Sequence, residues 1–361
     1  MRQTDDYEDY SGGLPLIYMA LGVSFCVLCI LLLVVFLNQD KRPSNQKTSV
    51  MKSEESTKDS KEVKYKGGDL VAEDLDFWDM YPVKEETKKE TPKETEEETT
   101  TAEEDDPSKD GKHVLVEYRD GTSEWLSINP KLKKNTYDFT NLVSKNNLLR
   151  YYSDGKQVSY LGVDLSKYQK TVDFAAIKNE GIDYCILRVG SRGYESGVIQ
   201  EDEMFQEYIA KAKEAGLDIG LYFYSQAVTE AEAVEEAEFV LSKIGDYKIT
   251  YPIAFDMEYV ENDTSRIETL TSKEKTNIAL AFLNKIEEAG YTGMLYGNKE
   301  WLLKRIDLTK FDAFDIWLSQ EADIPDYPYI YSMWQYTRQG EVYGIDGYVD
   351  LNISFIDYSA R

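Results

Sequence analysis

Over residues 158–361 the chain alternates between short apolar runs and longer amphipathic stretches, and few folds accommodate that alternation. Strand-like runs fall at 160–166, 184–190, 219–225, 252–260, 293–298, 315–320, 331–336 and 347–354. Helical spacing fills 172–181, 203–216, 229–245 and 272–290 between the first five of them. Gly181, Gly216, Gly245 and Gly290 stand where those helices end, as a left-handed C′ residue should. Parallel strands need a crossover between them, so strand and helix in turn imply a parallel sheet. The last three strands lack convincing helices between them. Together these features predict an α/β fold: a (β/α) barrel of the TIM-like type, near the lower size limit and irregular in its final third.

A barrel builds its site from the C-terminal ends of its strands. Asp164 ends the first strand, in VDLSKYQ; Asp256 and Glu258 close the fourth, as FDME; Asp350 lies in the last, in DGYVDLN. Residues i and i+2 of a strand share a face, so Asp256 and Glu258 are expected to point into the mouth together. Four acids in one mouth repel one another, raise at least one pKa and supply the proton that glycoside cleavage requires. Tyr222, Tyr224, Tyr259, Tyr296, Trp317, Trp334 and Tyr336 sit beside them as faces for sugar rings. Each feature alone is weak. A D-x-E pair is usually solvated or metal-binding, Asp164 can cap a turn, Asp350 can be a turn residue, Arg188 can be a structural ion-pair partner, and aromatics near strand ends are more often core or rim.

Composition narrows the chemistry. The chain has 361 residues and a single histidine, His113, outside the barrel, so zinc hydrolysis, Ser-His-Asp and Cys-His catalysis all lack their imidazole. A net charge of −26 without a basic stripe argues against nucleic acid as a partner. A hard cation at the acids is the strongest rival, but no phosphate loop or EF-hand pattern accompanies them, and neither metal nor cofactor is expected. Cys26, Cys29 and Cys185 all lie in apolar runs and form no disulfide framework.

The first 157 residues read differently. After a short acidic tail, 1–13, residues 14–37 run without a charge for long enough to cross the roughly 30 Å hydrocarbon core, as an uncleaved signal anchor. Lys41, Arg42 and Lys47 follow the span and only Arg2 precedes it, a bias that favours a cytoplasmic C-terminal side. The carboxylate chemistry favours the opposite: a single-pass membrane protein with a cytoplasmic tail and an extracytoplasmic C-terminal domain. Long domains translocate largely regardless of flanking charge. Residues 38–112, rich in Lys, Glu, Thr and Ser, read as a disordered charged linker, broken by an aromatic patch at 74–83. Residues 113–157 read as a small accessory module with hairpin turns at Asp120-Gly121 and Asp154-Gly155 and a short helix over 137–149.

The segments YLGVDLSKYQ, ILRVGSRGY, IGLYFYSQAVTEAEAVEEAEF, PIAFDMEY, LYGN, IWLSQ, WQYT and DGYVDLN resemble, in order and spacing, the glycoside hydrolase family 25 lysozymes. The similarity covers 158–361 and does not extend to 1–112. It implies a (β/α)5β3 barrel and an N-acetylmuramidase that cleaves the β-1,4 bond between N-acetylmuramic acid and N-acetylglucosamine in peptidoglycan. It implies Glu258 as the general acid. Asp256 would hold the substrate acetamido group, which attacks the anomeric carbon unless water does so directly. Asp164 and Asp350 match the two further acids of the site, and Tyr222, Tyr296 and Trp317 are expected sugar contacts. The family's wall-binding repeats are replaced by an anchor and a tether, which places the enzyme on a bacterial, Gram-positive surface with peptidoglycan strands as its partner. A tethered glycan-binding module with vestigial activity is the alternative.

Overall fold

The computed structural model describes residues 106–260 and 263–361. The tail 1–13, the span 14–37, the 74–83 patch and the linker before residue 106 lie outside the described residues. Among those described, no helix is long and apolar enough to cross a membrane.

The described chain opens with a hairpin, β1 (His113–Glu117) paired antiparallel with β2 (Ser123–Ser127). The helix expected over 137–149 is instead a second hairpin. Asn146 and Asn147 take φ of 54° and 60°, the left-handed pair required by a two-residue type I′ turn and tolerated by asparagine. That turn joins β3 (Leu142–Lys145) to β4 (Leu148–Ser153), and β5 (Lys156–Gln157) folds back on β4 after Asp154-Gly155. Helical structure here is limited to one 3-10 turn, Phe139–Asn141.

The barrel follows. β6 (Tyr160–Leu165) leads through α1 (Phe174–Asn179) to β7 (Tyr184–Arg192), on which β8 (Ile199–Glu201) folds back antiparallel. Then come α2 (Phe205–Ala215), β9 (Asp218–Ser225), α3 (Glu230–Ile244), β10 (Ile253–Met257), α4 (Ser272–Glu288) and β11 (Gly293–Asn298). α1, α3 and α4 start where side chains satisfy their free N–H groups: Asp173 accepts from Ala176 N, Thr229 accepts from Glu232 N, and Thr271 and Glu274 form a capping box. Between β11 and β12 (Asp315–Ser319) there is only a π-helical turn, Trp301–Arg305, and a 3-10 turn, Leu308–Lys310. β13 (Met333–Gly340) and β14 (Val349–Ser354) follow without a helix.

Leaving β8 aside, eight strands form a ring in the order β6-β7-β9-β10-β11-β12-β13-β14, closed by β14 on β6. Pairing is parallel from β6 round to β13, whereas β14 runs antiparallel to both neighbours. Counting strands and helices does not reveal this reversal. It follows from the short β13–β14 connection, which can only send the chain back the way it came.

Side chains alternate across the barrel wall. Tyr184, Ile186, Tyr222, Met294, Trp317 and Met333 pack inside it, and a larger aliphatic cluster lies between the strands and the helices. Gly162 is required within: a Cβ there would lie 2.2 Å from the Tyr184 ring.

The helix-poor sector is covered by residues 113–157. Trp334 and Tyr336, one position out of phase with the inward Met333, face outward. Phe139 packs edge-on to Trp334, and Tyr336 Oη donates to the Asn147 carbonyl at 3.1 Å. Tyr137 stacks on Phe355 with centroids 4.0 Å apart and donates to the Tyr331 carbonyl. Beside the π-helical turn, Glu124 pairs with Lys304 and Tyr118 lies under Arg305. The small module thus occupies the positions that helices hold around the rest of the barrel.

Candidate active site

The four acids come together at one end of the barrel. Asp164 is the last residue but one of β6 and Asp256 the last but one of β10, while Glu258 stands just beyond β10. Asp350 is the second residue of β14, so the expectation of a C-terminal strand end is corrected for it. It reaches the same mouth because its strand runs the other way, with Asp350 directly across from Asp164. All four are 3–6% exposed.

Buried carboxylates demand donors. Asp164 Oδ2 accepts from Asn352 Nδ2 at 2.7 Å and from Gln335 Nε2 at 3.0 Å, and the same Gln335 nitrogen reaches Asp350 Oδ2 at 3.1 Å. Gln335 turns its nitrogen to the acids because its Oε1 accepts from Ser319 Oγ at 2.7 Å and Tyr296 Oη at 3.0 Å. Asn352 is oriented likewise, its Oδ1 accepting from Trp317 Nε1 at 2.8 Å. Asp256 Oδ1, by contrast, is buried without a hydrogen-bond partner in the protein.

Burial raises the pKa of Asp164, against the pull of its Asn352 and Gln335 donors. Burial also raises Asp256 well above the usual carboxylate range, reinforced by the charges of Glu258 and Asp164, and opposed by Arg188. Asp350 is driven the same way by burial and then by the Asp164 charge. The cluster therefore holds protons at pH values where free carboxylates have lost them, which suits acid chemistry.

Tyr222, Tyr296 and Trp317 all point into the barrel below the acids. Trp317 is 2% exposed, edge-on to Tyr296 at 4.8 Å and to Tyr222 at 6.5 Å, with its N–H committed to Asn352. Its place is beneath the acids as a support. Three of the wider set of aromatics are elsewhere: Trp334 and Tyr336 face outward, and Tyr259 turns toward Lys275, whose Nζ donates to its hydroxyl at 2.9 Å. Arg188 is the structural ion-pair partner that it can be from sequence, with Nε 2.7 Å from Asp202 Oδ2. Among the described residues, no group of three or more His, Cys, Asp or Glu is arranged to hold a metal ion.

Sequence reasoning missed the neutral residues that organise the acids, Gln335, Asn352 and Ser319. The signal was present for two of them. Asn352 is two residues beyond Asp350, and Gln335 lies between two aromatics that cannot share its face, so strict alternation puts both inside.

The raised pKa values carry a stability prediction. An acid whose folded pKa lies above its unfolded value stabilises the fold fully below the unfolded pKa and loses that contribution as pH rises through the folded one. Asp350→Asn removes one of the mutually repelling charges, so its melting temperature should exceed that of the wild type by a few degrees at pH 7, with the gain vanishing near pH 3. Thermal melts across that range test it. A gain that persists in acid would mean packing rather than charge.

Residues 163–345 match the family described as glycosyl hydrolases family 25. The autolytic lysozyme of Clostridium acetobutylicum is 24% identical over 192 residues, covering 53% of this chain and 54% of that protein. A D-alanyl-L-alanine endopeptidase of Streptococcus phage B30 is 28% identical over 142 residues, covering 36% of this chain and 30% of its own. The chain thus spans about half or less of the curated relatives it matches. Among solved structures, the modular autolysin LytC of Streptococcus pneumoniae aligns with a TM-score of 0.48 at 22% identity, over 68% of this chain and 56% of that one.

Proposed function

The chain belongs to glycosyl hydrolase family 25, and from that premise we propose that it is a peptidoglycan hydrolase that cuts the β-1,4 bond between N-acetylmuramic acid and N-acetylglucosamine. The observation that carries the reading is the mouth of the barrel, where burial and mutual charge hold a set of carboxylates partly protonated while one oxygen of Asp256 lacks a protein donor. Glu258 is the general acid and gives its proton to the glycosidic oxygen as the C1–O bond breaks. Asp256 Oδ1 accepts from the acetamido N–H of the muramic acid. That contact turns the acetamido oxygen onto the anomeric carbon, and water then opens the resulting ring. Direct attack by water on C1 is the other course open to the same four acids.

Asp164 and Asp350, bridged by Gln335, share a proton and limit the negative charge below the substrate. Tyr222 and Tyr296 line the floor against the sugar, and Trp317 supports them. No cofactor takes part. The 14–37 span fastens the enzyme to the membrane of a bacterial cell, with the barrel outside among the glycan strands; its uncharged length supports the anchoring, and the carboxylate chemistry supports the outward side against the positive charges that follow the span.

The test is to incubate the full chain with purified peptidoglycan, with and without chelator, and to identify the new reducing ends. Muramic acid ends that form despite the chelator are expected. N-acetylglucosamine ends would move the cut to the other bond, sensitivity to chelator would put a hard cation in the mouth, and pelleting with the wall without new ends would leave a tethered glycan binder.

A further inference from the structure

Glu258 lies one residue beyond the end of β10, where the sheet no longer fixes the backbone. A general acid there needs other support, because an error of about 1 Å in placing a reacting group can cost roughly a hundredfold in rate. The support comes from both sides of the residue. The Glu258 carbonyl accepts from Gln226 Nε2 at 2.8 Å. Tyr259 is gripped by its hydroxyl, which accepts from Lys275 Nζ, while the same ammonium donates to the Leu270 carbonyl at 2.7 Å. Lys275 is 2% exposed and so ties two points of the β10–α4 connection from inside.

The outer half of the grip is made by a residue from outside the barrel. Arg119, at the tip of the β1–β2 hairpin, donates from Nη1 to the Val260 carbonyl at 3.0 Å. Its guanidinium carbon lies 4.8 Å from the centre of the Tyr259 ring, and Nη2 is 3.3 Å from Glu268 Oε1. One side chain thereby holds the main chain two residues after Glu258, the ring of the next residue, and the far end of the same connection. Lysine cannot make all three contacts, since it lacks the planar fork.

We propose that Arg119 is a positioning residue for Glu258, and that the N-terminal hairpin is a working part of the active site. The catalytic half of this statement rests on the function proposed above; the structural half does not. The hairpin lies outside the 163–345 match.

The experiment compares full-length wild type, Arg119→Ala and Arg119→Lys by kinetics on soluble peptidoglycan fragments, by thermal melting, and by amide hydrogen exchange over 258–270. Arg119→Ala is expected to lower kcat by about ten- to hundredfold, with KM within about twofold and faster exchange at 258–270. Arg119→Lys should recover part of kcat. Glu207→Ala, which removes an exposed ion pair with Lys211 on α2, should keep kcat within about twofold because exposed pairs contribute little. Unchanged kcat and unchanged exchange in folded Arg119→Ala would overturn the proposal. Equal losses in Arg119→Ala and Glu207→Ala would overturn it too, because the loss would then owe nothing to the hold on the segment after Glu258. If the wild type itself does not cleave glycan, the function proposed above fails, and the exchange at 258–270 still decides whether Arg119 holds the segment.

Discussion

Replacing Glu258 with Gln should lower kcat by about 10²–10⁴-fold, the usual contribution of a positioned general acid, while glycan affinity stays within about threefold. The amide keeps the size of the acid, and the Gln226 bond to residue 258 is to its main-chain carbonyl, so the substitution leaves that anchor intact. What it removes is the transferable proton. It also removes a charge that pushes the Asp256 pKa upward, so Asp256 should ionise at lower pH in the variant. Steady-state kinetics beside a glycan-pelleting assay separate the effects. Turnover and binding lost together would show that Glu258 supports the fold of the mouth, and the assignment of the acid would have to move to another carboxylate.

The second large effect is expected from deletion. A barrel that begins at residue 158 would lose the cover over Trp334, Tyr336 and Phe355, which now meet Phe139, Asn147 and Tyr137. Burying a large side chain contributes roughly 1.5–3 kcal/mol, so exposing three of them removes on the order of 5 kcal/mol, comparable with the whole stability of many domains. The truncated barrel should aggregate or bind a hydrophobic dye at temperatures where the longer chain does not. A shortened protein melting within a few degrees of the full one would mean that the cover is dispensable and that the outer faces of β13 and β14 tolerate water.

Much of this arrangement is legible in the sequence, for identifiable reasons. The parallel strands declare themselves because each is bounded by an amphipathic helix with its own cap, as Thr271 and Glu274 illustrate. The acids are legible because the strand period places them: Asp164 and Asp256 fall on inward positions near strand ends. Asp350 was readable as a member of the site, but the direction of its strand was not, since six residues of alternating apolar and polar character look the same in either sense. The 137–149 segment misleads because Phe139, Leu142 and Val143 have helical spacing, whereas two consecutive asparagines in the left-handed region decide the backbone. Least legible was the role of 113–157. Its contacts join residues some 200 positions apart, and no local pattern announces a partner at that distance.

That separation has a kinetic consequence. β14 must insert between β13 and β6, pairing Asp350 with a residue on the far side of the barrel sequence. Such non-local pairings are slow to form, because the entropy of closing the loop is lost before any contact is gained. The Asp164–Asp350 pair, and the Gln335 bridge that spans it, exist only after that insertion. A nascent or partly unfolded chain therefore cannot own a finished mouth, however many of its parallel strands have assembled, and the paired acids come into being only when β14 has closed the ring.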